Sequence, residues 1–226
     1  MTKEIVSVSL SPSSRDYMFT TELFGEEVHV RRYGADGGVQ RARELVAQFD
    51  GEVDAIGLGG MNNYFRVGHR TYIVKQIQQI ASVAQTTPVV DGVHLRNTLE
   101  RWAIGRVAKQ QPGIFSHKRV FVVSGIDRYG MAQVLSTFTH QILFGDPIFH
   151  LNLPIPLRSF KQLERYANLV LPALCRAPYG KLCPVGLEQE LRTPRGVKYF
   201  DQAHIIAGDY AYIRRFAPDN LRGKTV

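Results

Sequence analysis

Apolar and polar positions follow two rhythms along the chain, one of period two and one near 3.6, and each change of rhythm marks an element. In Ile5 to Leu10 (IVSVSL) apolar and hydroxyl residues alternate, which predicts a strand. The run MFTTELFGEEVHVRRYG places two strand-like stretches around Gly25 and predicts a hairpin. From Val39 to Phe49 the apolar residues fall at Val39, Ala42, Leu45, Val46 and Phe49, one face of a helix. VDAIGLGG reads as a buried strand ending in glycines. YFRVGHRTYIV reads as a second hairpin turning at Gly68, with a helix continuing to Ala84.

Beyond Thr87, strands and helices take turns. The strands are TPVVDG, RVFVVSG, QILFGD and AHIIAGDY, and the helices between them are Leu95 to Lys109, Met131 to Thr139 and Ser159 to Leu174. The last helix carries Phe160, Leu163, Tyr166, Ala167 and Val170 on one face. Such alternation predicts an α/β fold of mostly parallel sheets with helices on both faces. GDPIFHLNLPIPL, with three prolines and His150, reads as a rigid loop shaping a pocket wall. The polar stretch AKQQPGIFSHK interrupts the pattern at Pro112-Gly113. We therefore expect an N-terminal α/β domain with hairpins over 1–111 and a second α/β domain over 112–226. Thr225-Val226 begins as strands in this chain begin, so the second sheet is expected to be incomplete.

Composition narrows the function classes. A chain of 226 residues, 44% hydrophobic and 21% charged, is an ordinary globular protein able to bury a core without staples. No apolar run approaches the roughly 20 residues of a membrane span, and the N-terminus lacks a signal-peptide pattern. A cytoplasmic protein with no membrane association is the expectation. Cys175 and Cys183 form no C-x-x-C pair and have no histidines at ligand spacing, which predicts core or loop thiols and no metal centre. The net charge of +8 raises nucleic acid as a partner. The arginines are scattered, however, with no block of five like charges and no nucleic-acid module. An anionic ligand such as a phosphate or carboxylate fits the same excess; a small hydroxylated or anionic ligand is the expected partner, nucleic acid is not, and a homo-oligomer is left open.

The candidate chemistry gathers at strand ends. Five successive predicted strands finish in glycine, and four carry an aspartate there: Asp91, Asp127, Asp146 and Asp209. In a parallel sheet these would share one rim, where open α/β folds bind ligands, although turn and helix-capping duty explains any single one equally well. VFVVSGIDRYGMAQVL has the strand, glycine turn and helix of a dinucleotide fingerprint, with Gly125 and Gly130 as its first and last glycines. Asp146 lies 21 positions past Gly125, where such Rossmann folds place a ribose-binding carboxylate. Asp127 replaces the middle glycine, and a carboxylate there repels phosphates by about 4 kcal/mol at ~4 Å and an effective dielectric near 20. Arg128 stands next to it as a counter-charge and Tyr129 as a stacking ring. The candidate cofactor-binding set is Ser124, Gly125, Asp127, Arg128, Tyr129, Gly130, Asp146 and Asp209. Asp91 with His94 is the one candidate acid–base couple.

VDAIGLGG, TPVVDG, LERW, VSGIDRYGMA, FGDPIF, LPIPLRS and AGDYAYIRRFAPDNLRGKT together resemble a family of bacterial proteins described as quinate/shikimate 5-dehydrogenase-like. The resemblance covers most of the chain and is most specific in VSGIDRYGMA and AGDYAYIRR. It implies a substrate domain followed by a Rossmann-like cofactor domain, with NAD or NADP taking hydride from a ring hydroxyl of a cyclic hydroxy acid. Ser9 and Ser11 in SLSP are similar to the serine pair of shikimate dehydrogenases; their lysine segment is absent, so the resemblance assigns no catalytic residue. Beside an NAD(P)-dependent oxidoreductase stands a non-catalytic Rossmann-type module that binds a nucleotide or hydroxylated metabolite. An S-adenosylmethionine transferase and metal-assisted phosphoryl chemistry rank below both, because the turn is poor in glycine and no phosphate loop is present.

Overall fold

A computed structural model describes residues 2–226 and divides the chain into two compact units. Met1–Tyr64, Tyr72–Val93 and Ala173–Gln189 form the first; Phe65–Thr71, His94–Pro172 and Glu190–Val226 form the second.

The N-terminal part of the chain gives β1 (Lys3–Ser9), β2 (Tyr17–Leu23), β3 (Glu26–Gly34), α1 (Val39–Phe49), β4 (Ala55–Gly59), the hairpin β5 (Tyr64–Val67) and β6 (Arg70–Ile73), α2 (Lys75–Ala81) and β7 (Val89–Val90). A five-stranded sheet runs β2-β3-β1-β4-β7. Only the hairpin partner β2 is antiparallel; β3, β1, β4 and β7 are parallel. Val6 and Val8 on β1 share a face with Ile56 and Leu58 on β4, in register, and all four are buried. The apolar stripe of α1, with Ala42, Leu45, Val46 and Phe49 buried, supplies the matching surface, and Phe49 stacks on Tyr33 of β3 at 5.1 Å.

The rest of the chain gives α3 (Val93–Gln110), β8 (Val120–Val122), α4 (Tyr129–Phe138), β9 (Ile142–Phe144), α5 (Asp146–His150), α6 (Phe160–Leu174), α7 (Val197–Gln202), β10 (Ile205–Ala207) and α8 (Tyr210–Phe216). β8 lies in the middle of a parallel sheet ordered β10-β8-β9, and Thr225 bridges in parallel to Ile205 beyond β10. Every residue of β8 is buried, so both faces of this sheet are covered. Phe121 meets Phe200 edge to face at 5.0 Å and packs near Phe149 and Tyr199. Such an aromatic pair contributes about 0.5–1.5 kcal/mol beyond its buried area. No helix among the described residues is long and apolar enough to cross a membrane.

Two sequence expectations change. The units part at Val93/His94 rather than near Pro112. Arg96, Asn97 and Glu100 of α3 bond to residues 127–130, so this helix belongs to the second unit, and 108–118 only turns the chain from α3 into β8. GDPIFH is not loop: Pro147 supplies a fixed φ and no amide in the first turn of α5, where a proline suits a helix.

Candidate functional site

The chain leaves β8 toward β9 on one side and returns to β10 on the other, so the order reverses at β8, and open α/β sheets bind ligands beyond the carboxyl ends of the strands at such a point. Asp127, Asp146 and Asp209 all come after strands of this sheet. Asp146 is fully buried and turns inward, its two oxygens accepting the amides of Gly125 (3.0 Å) and Ile126 (2.9 Å). These are the amides a fingerprint turn offers to a pyrophosphate. The protein's own carboxylate occupies them. Burial pushes the Asp146 carboxyl up to about 7, against the pull of the two amides, and the charge of Asp127 adds to the rise.

The two glycines serve packing. A Cβ on Gly125 would sit 2.8 Å from side-chain atoms of Leu163 and Phe144, and one on Gly130 would sit 2.6 Å from the Asn97 carbonyl. Gly130 therefore lets α4 approach α3, with its amide donating to Asn97 Oδ1 at 3.2 Å. Tyr129 is not free to stack on a ligand. Its hydroxyl donates to Glu164 Oε1 (2.6 Å) and accepts the Gly68 amide (3.0 Å), and burial with the Glu164 bond pushes it up to about 12. Ser124 is buried and accepts the Asp209 amide at 3.0 Å, joining β8 to the start of α8.

Arg128 is the hub. Its guanidinium donates to Glu100 Oε1 at 2.6 Å and to Asp209 Oδ2, and its Nε lies 3.2 Å from Asp127 Oδ2. Arg96 pairs with Asp127 at 3.5 Å. Burial alone would lower the Arg128 pKa; Asp127, Asp209 and Glu100 more than offset it and hold the group above its ordinary value. Asp209 also caps α8, accepting the amides of Ala211 and Tyr212. Two guanidiniums thus face three carboxylates.

Several buried polar atoms in this unit have no hydrogen-bond partner among the described residues: Glu100 Oε2, His150 Nδ1 and the Tyr166 hydroxyl. Burial holds His150 down at about 4, with Asp127 opposing, and raises Tyr166, with Asp146 adding. The charge of Asp127 therefore acts on His150, and that of Asp146 on Tyr166. Buried polar groups are nearly always paired, and an orphan of this kind calls for water, an ion or a ligand. Arg96, Glu100, His150 and Tyr166 are absent from the candidate set drawn from sequence. The readable signal was on α3, where Arg96 and Glu100 sit one turn apart, beside the apolar stripe of Leu95, Leu99 and Trp102.

Asp91 does not belong to this cluster. It ends β7 in the other sheet and accepts the amides of Asn63 (2.9 Å) and Val93 (3.0 Å), fastening the chain at the start of α3. His94 is exposed, and no hydrogen bond joins it to Asp91. The proposed acid–base couple is a capping aspartate beside a solvated histidine. In the same unit as Asp91, Ser9 and Ser11 at the end of β1 are both buried with their hydroxyl oxygens 2.9 Å apart. Arg32 Nη2 donates to Ser11 Oγ, and Asp16 lies 3.7 Å from the same guanidinium. Among the described residues no three metal-ligating side chains come together.

No curated protein matches the chain. Residues 4–91 match the family model described as Domain of unknown function (DUF8753). Residues 94–226, more than half of the chain and starting where the longest segment of the second unit starts, match the model described as Domain of unknown function (DUF8754), and the chain belongs to that family.

Proposed function

We propose that the second unit is a Rossmann-type module that binds a small hydroxylated metabolite or nucleoside in the crevice beyond β8 and β10. The observation that carries this reading is the set of orphaned buried polar atoms, Glu100 Oε2, His150 Nδ1 and the Tyr166 hydroxyl, in the same unit as Asp127, Arg128 and Asp209. Ligand hydroxyls both donate and accept, so they suit a lining of carboxylates, guanidiniums, a phenol and a neutral imidazole. A pyrophosphate fits poorly, because Asp146 already holds the turn amides and Asp127 faces where it would lie. The test is a thermal-shift panel of polyols, cyclic hydroxy acids, nucleosides, NAD and NADP on the full chain, followed by calorimetry. A ligand at 100 times its Kd stabilises by about 2.7 kcal/mol, which a melt resolves easily. Glu100→Gln and Tyr166→Phe should weaken the best ligand by roughly tenfold each, as one hydrogen bond lost from a buried site implies. Binding that neither substitution alters refutes the site.

A dehydrogenase acting on a cyclic hydroxy acid is the second reading, and the buried serine pair with Arg32 favours it. Two hydroxyls and a guanidinium at a strand end suit a substrate carboxylate. NAD or NADP would then have to seat without the amides of Gly125 and Ile126. Turnover of quinate or shikimate, followed as absorbance at ~340 nm and lost in Ser11→Ala, supports this reading over the first. Binding without turnover supports the first.

A further inference from the structure

We infer that the second unit holds another ligand site, an apolar slot at the amino-terminal edge of its sheet that accepts a compact aromatic carboxylate. The slot has a volume of about 280 Å³ and lies beside Arg119 and Val120 at the start of β8 and His140 to Leu143 at the start of β9. It is thus at the opposite end of the strands from the Arg128 cluster. Its floor is apolar and comes straight from the core: Val120, Phe121, Ile142 and Ala203 line it and are each at most 4% exposed. Tyr199 forms a wall. Its hydroxyl donates to the Pro154 carbonyl at 2.9 Å and its ring lies 5.8 Å from that of Phe121, so the wall is braced at both ends.

Charge at the mouth sets the ligand's other half. Arg119, Arg158 and His140 line the slot, and no aspartate or glutamate does. Arg119 Nε donates to the Gln202 carbonyl at 2.5 Å, which orients the guanidinium and leaves its terminal nitrogens unengaged among the described residues. The side chain of Arg158 has no hydrogen bond or ion pair among the described residues. The strand edge adds a donor. Phe144 sends its N–H and C=O outward to Leu157, and the two-residue period of a strand puts those of Ile142 on the same edge, nearer the slot. An apolar pocket with a few convergent donors is the usual form of a small-molecule site. The volume, just under the ordinary range of about 300–1,000 Å³, admits a single ring with a carboxylate and excludes a nucleotide.

The experiment titrates benzoate into the full chain by calorimetry, alongside benzamide and acetate. Benzoate should bind, and benzamide, which keeps the ring and loses the charge, and acetate, which keeps the charge and loses the ring, should each bind at least about tenfold more weakly. Arg158→Gln, at an exposed position, should weaken benzoate roughly tenfold with an unchanged melting temperature. Ala203→Leu fills the floor of the slot and should abolish binding; its circular dichroism spectrum checks that the chain is folded. Glu100→Gln, in the other crevice, should leave benzoate affinity unchanged, which separates the two sites. Equal affinity for benzamide, no effect of Arg158→Gln, or no heat from benzoate at millimolar concentration overturns the assignment.

Discussion

Asp146 and His150 stand at the two ends of the five-residue helix α5, and their linkages to pH run in opposite directions. Asp146 moves from an ordinary 3.8 to about 7 in the folded chain. Between these values the folded state holds more protons than the unfolded one, so stability falls as pH rises through the window, by about 4 kcal/mol at most. His150 moves from 6.5 to about 4, so between those values the unfolded chain holds more protons and stability rises with pH, by about 3 kcal/mol at most. In the wild-type protein the two nearly cancel between pH 4 and 6.5. Asp146→Asn removes the first and unmasks the second. Its urea-unfolding free energy should climb from pH 4 to 6.5 where that of the wild type stays flat; parallel curves for the two proteins contradict a buried titrating carboxyl. Arg128 gives a sharper case. Arg128→Gln leaves Glu100, Asp127 and Asp209 together without their shared cation, at a cost of about 3–5 kcal/mol, because a buried charge that loses its partner keeps its desolvation penalty. Chemical denaturation of the variant beside the wild type measures the loss, and a cost within about 0.5 kcal/mol contradicts the guanidinium's role as the shared partner.

Elements with a sustained period were legible before any coordinates. The helix predicted at Val39 to Phe49 is α1 to the residue, and the glycine-centred hairpins, the α/β alternation and the parallel strands from β7 onward all obey the pattern. Helices α5, α7 and α8 were missed because five to seven residues complete too few turns to set up a period. α3 was legible as a helix and illegible as a surface. Leu95, Leu99 and Trp102 at i, i+4 and i+7 mark an apolar face that sequence logic buries, yet they are 63%, 51% and 63% exposed. The packed face is the polar one, where Arg96, Asn97 and Glu100 meet the turn after β8. Hydrogen bonding across a close helix contact, which no periodicity encodes, decides the orientation. Two substitutions separate the faces. Gly130→Ala drives a methyl to 2.6 Å from the Asn97 carbonyl and should cost about 1–3 kcal/mol as α3 is pushed off α4. Leu99→Glu, on the outward face, should stay within about 0.5 kcal/mol of the wild type. Chemical denaturation of both variants measures the contrast, and a large cost at Leu99 would mean that this face is covered in solution.

At the scale of the whole chain, the two family models meet between residues 91 and 94, and the contacts do not respect a single cut there. Residues 173–189 return to the first unit. Tyr179 is buried at 3% exposure, its amide donates to Gln76 Oε1 (2.6 Å) and its hydroxyl to the Gly60 carbonyl (3.1 Å). The Lys75 amide donates to the Cys175 carbonyl, and the Gly186 amide to the carbonyl of Leu10, at the end of β1. None of this was readable from sequence, because LCPVGLEQE has no period and its partners lie more than a hundred residues away. The same convergence explains what was and was not legible at the site. Strand ends announce Asp127 and Asp209, whereas the inward turn of Asp146 onto Gly125 and Ile126 depends on burial that only the folded chain creates. A fragment of residues 1–93 therefore lacks the segment that closes its own unit, and should be largely unfolded or far less stable than the intact chain. Tyr179→Ala in the full protein should reproduce part of that loss, about 3–5 kcal/mol, since a large buried ring and its hydroxyl's hydrogen bond to the Gly60 carbonyl go at once. Co-expression with residues 94–226 should restore a folded 1–93, with the two pieces purifying together through 173–189, and Tyr179→Ala in the larger piece should weaken their association. A stable, cooperatively melting 1–93 fragment would show instead that the returning segment is dispensable to the sheet it packs on.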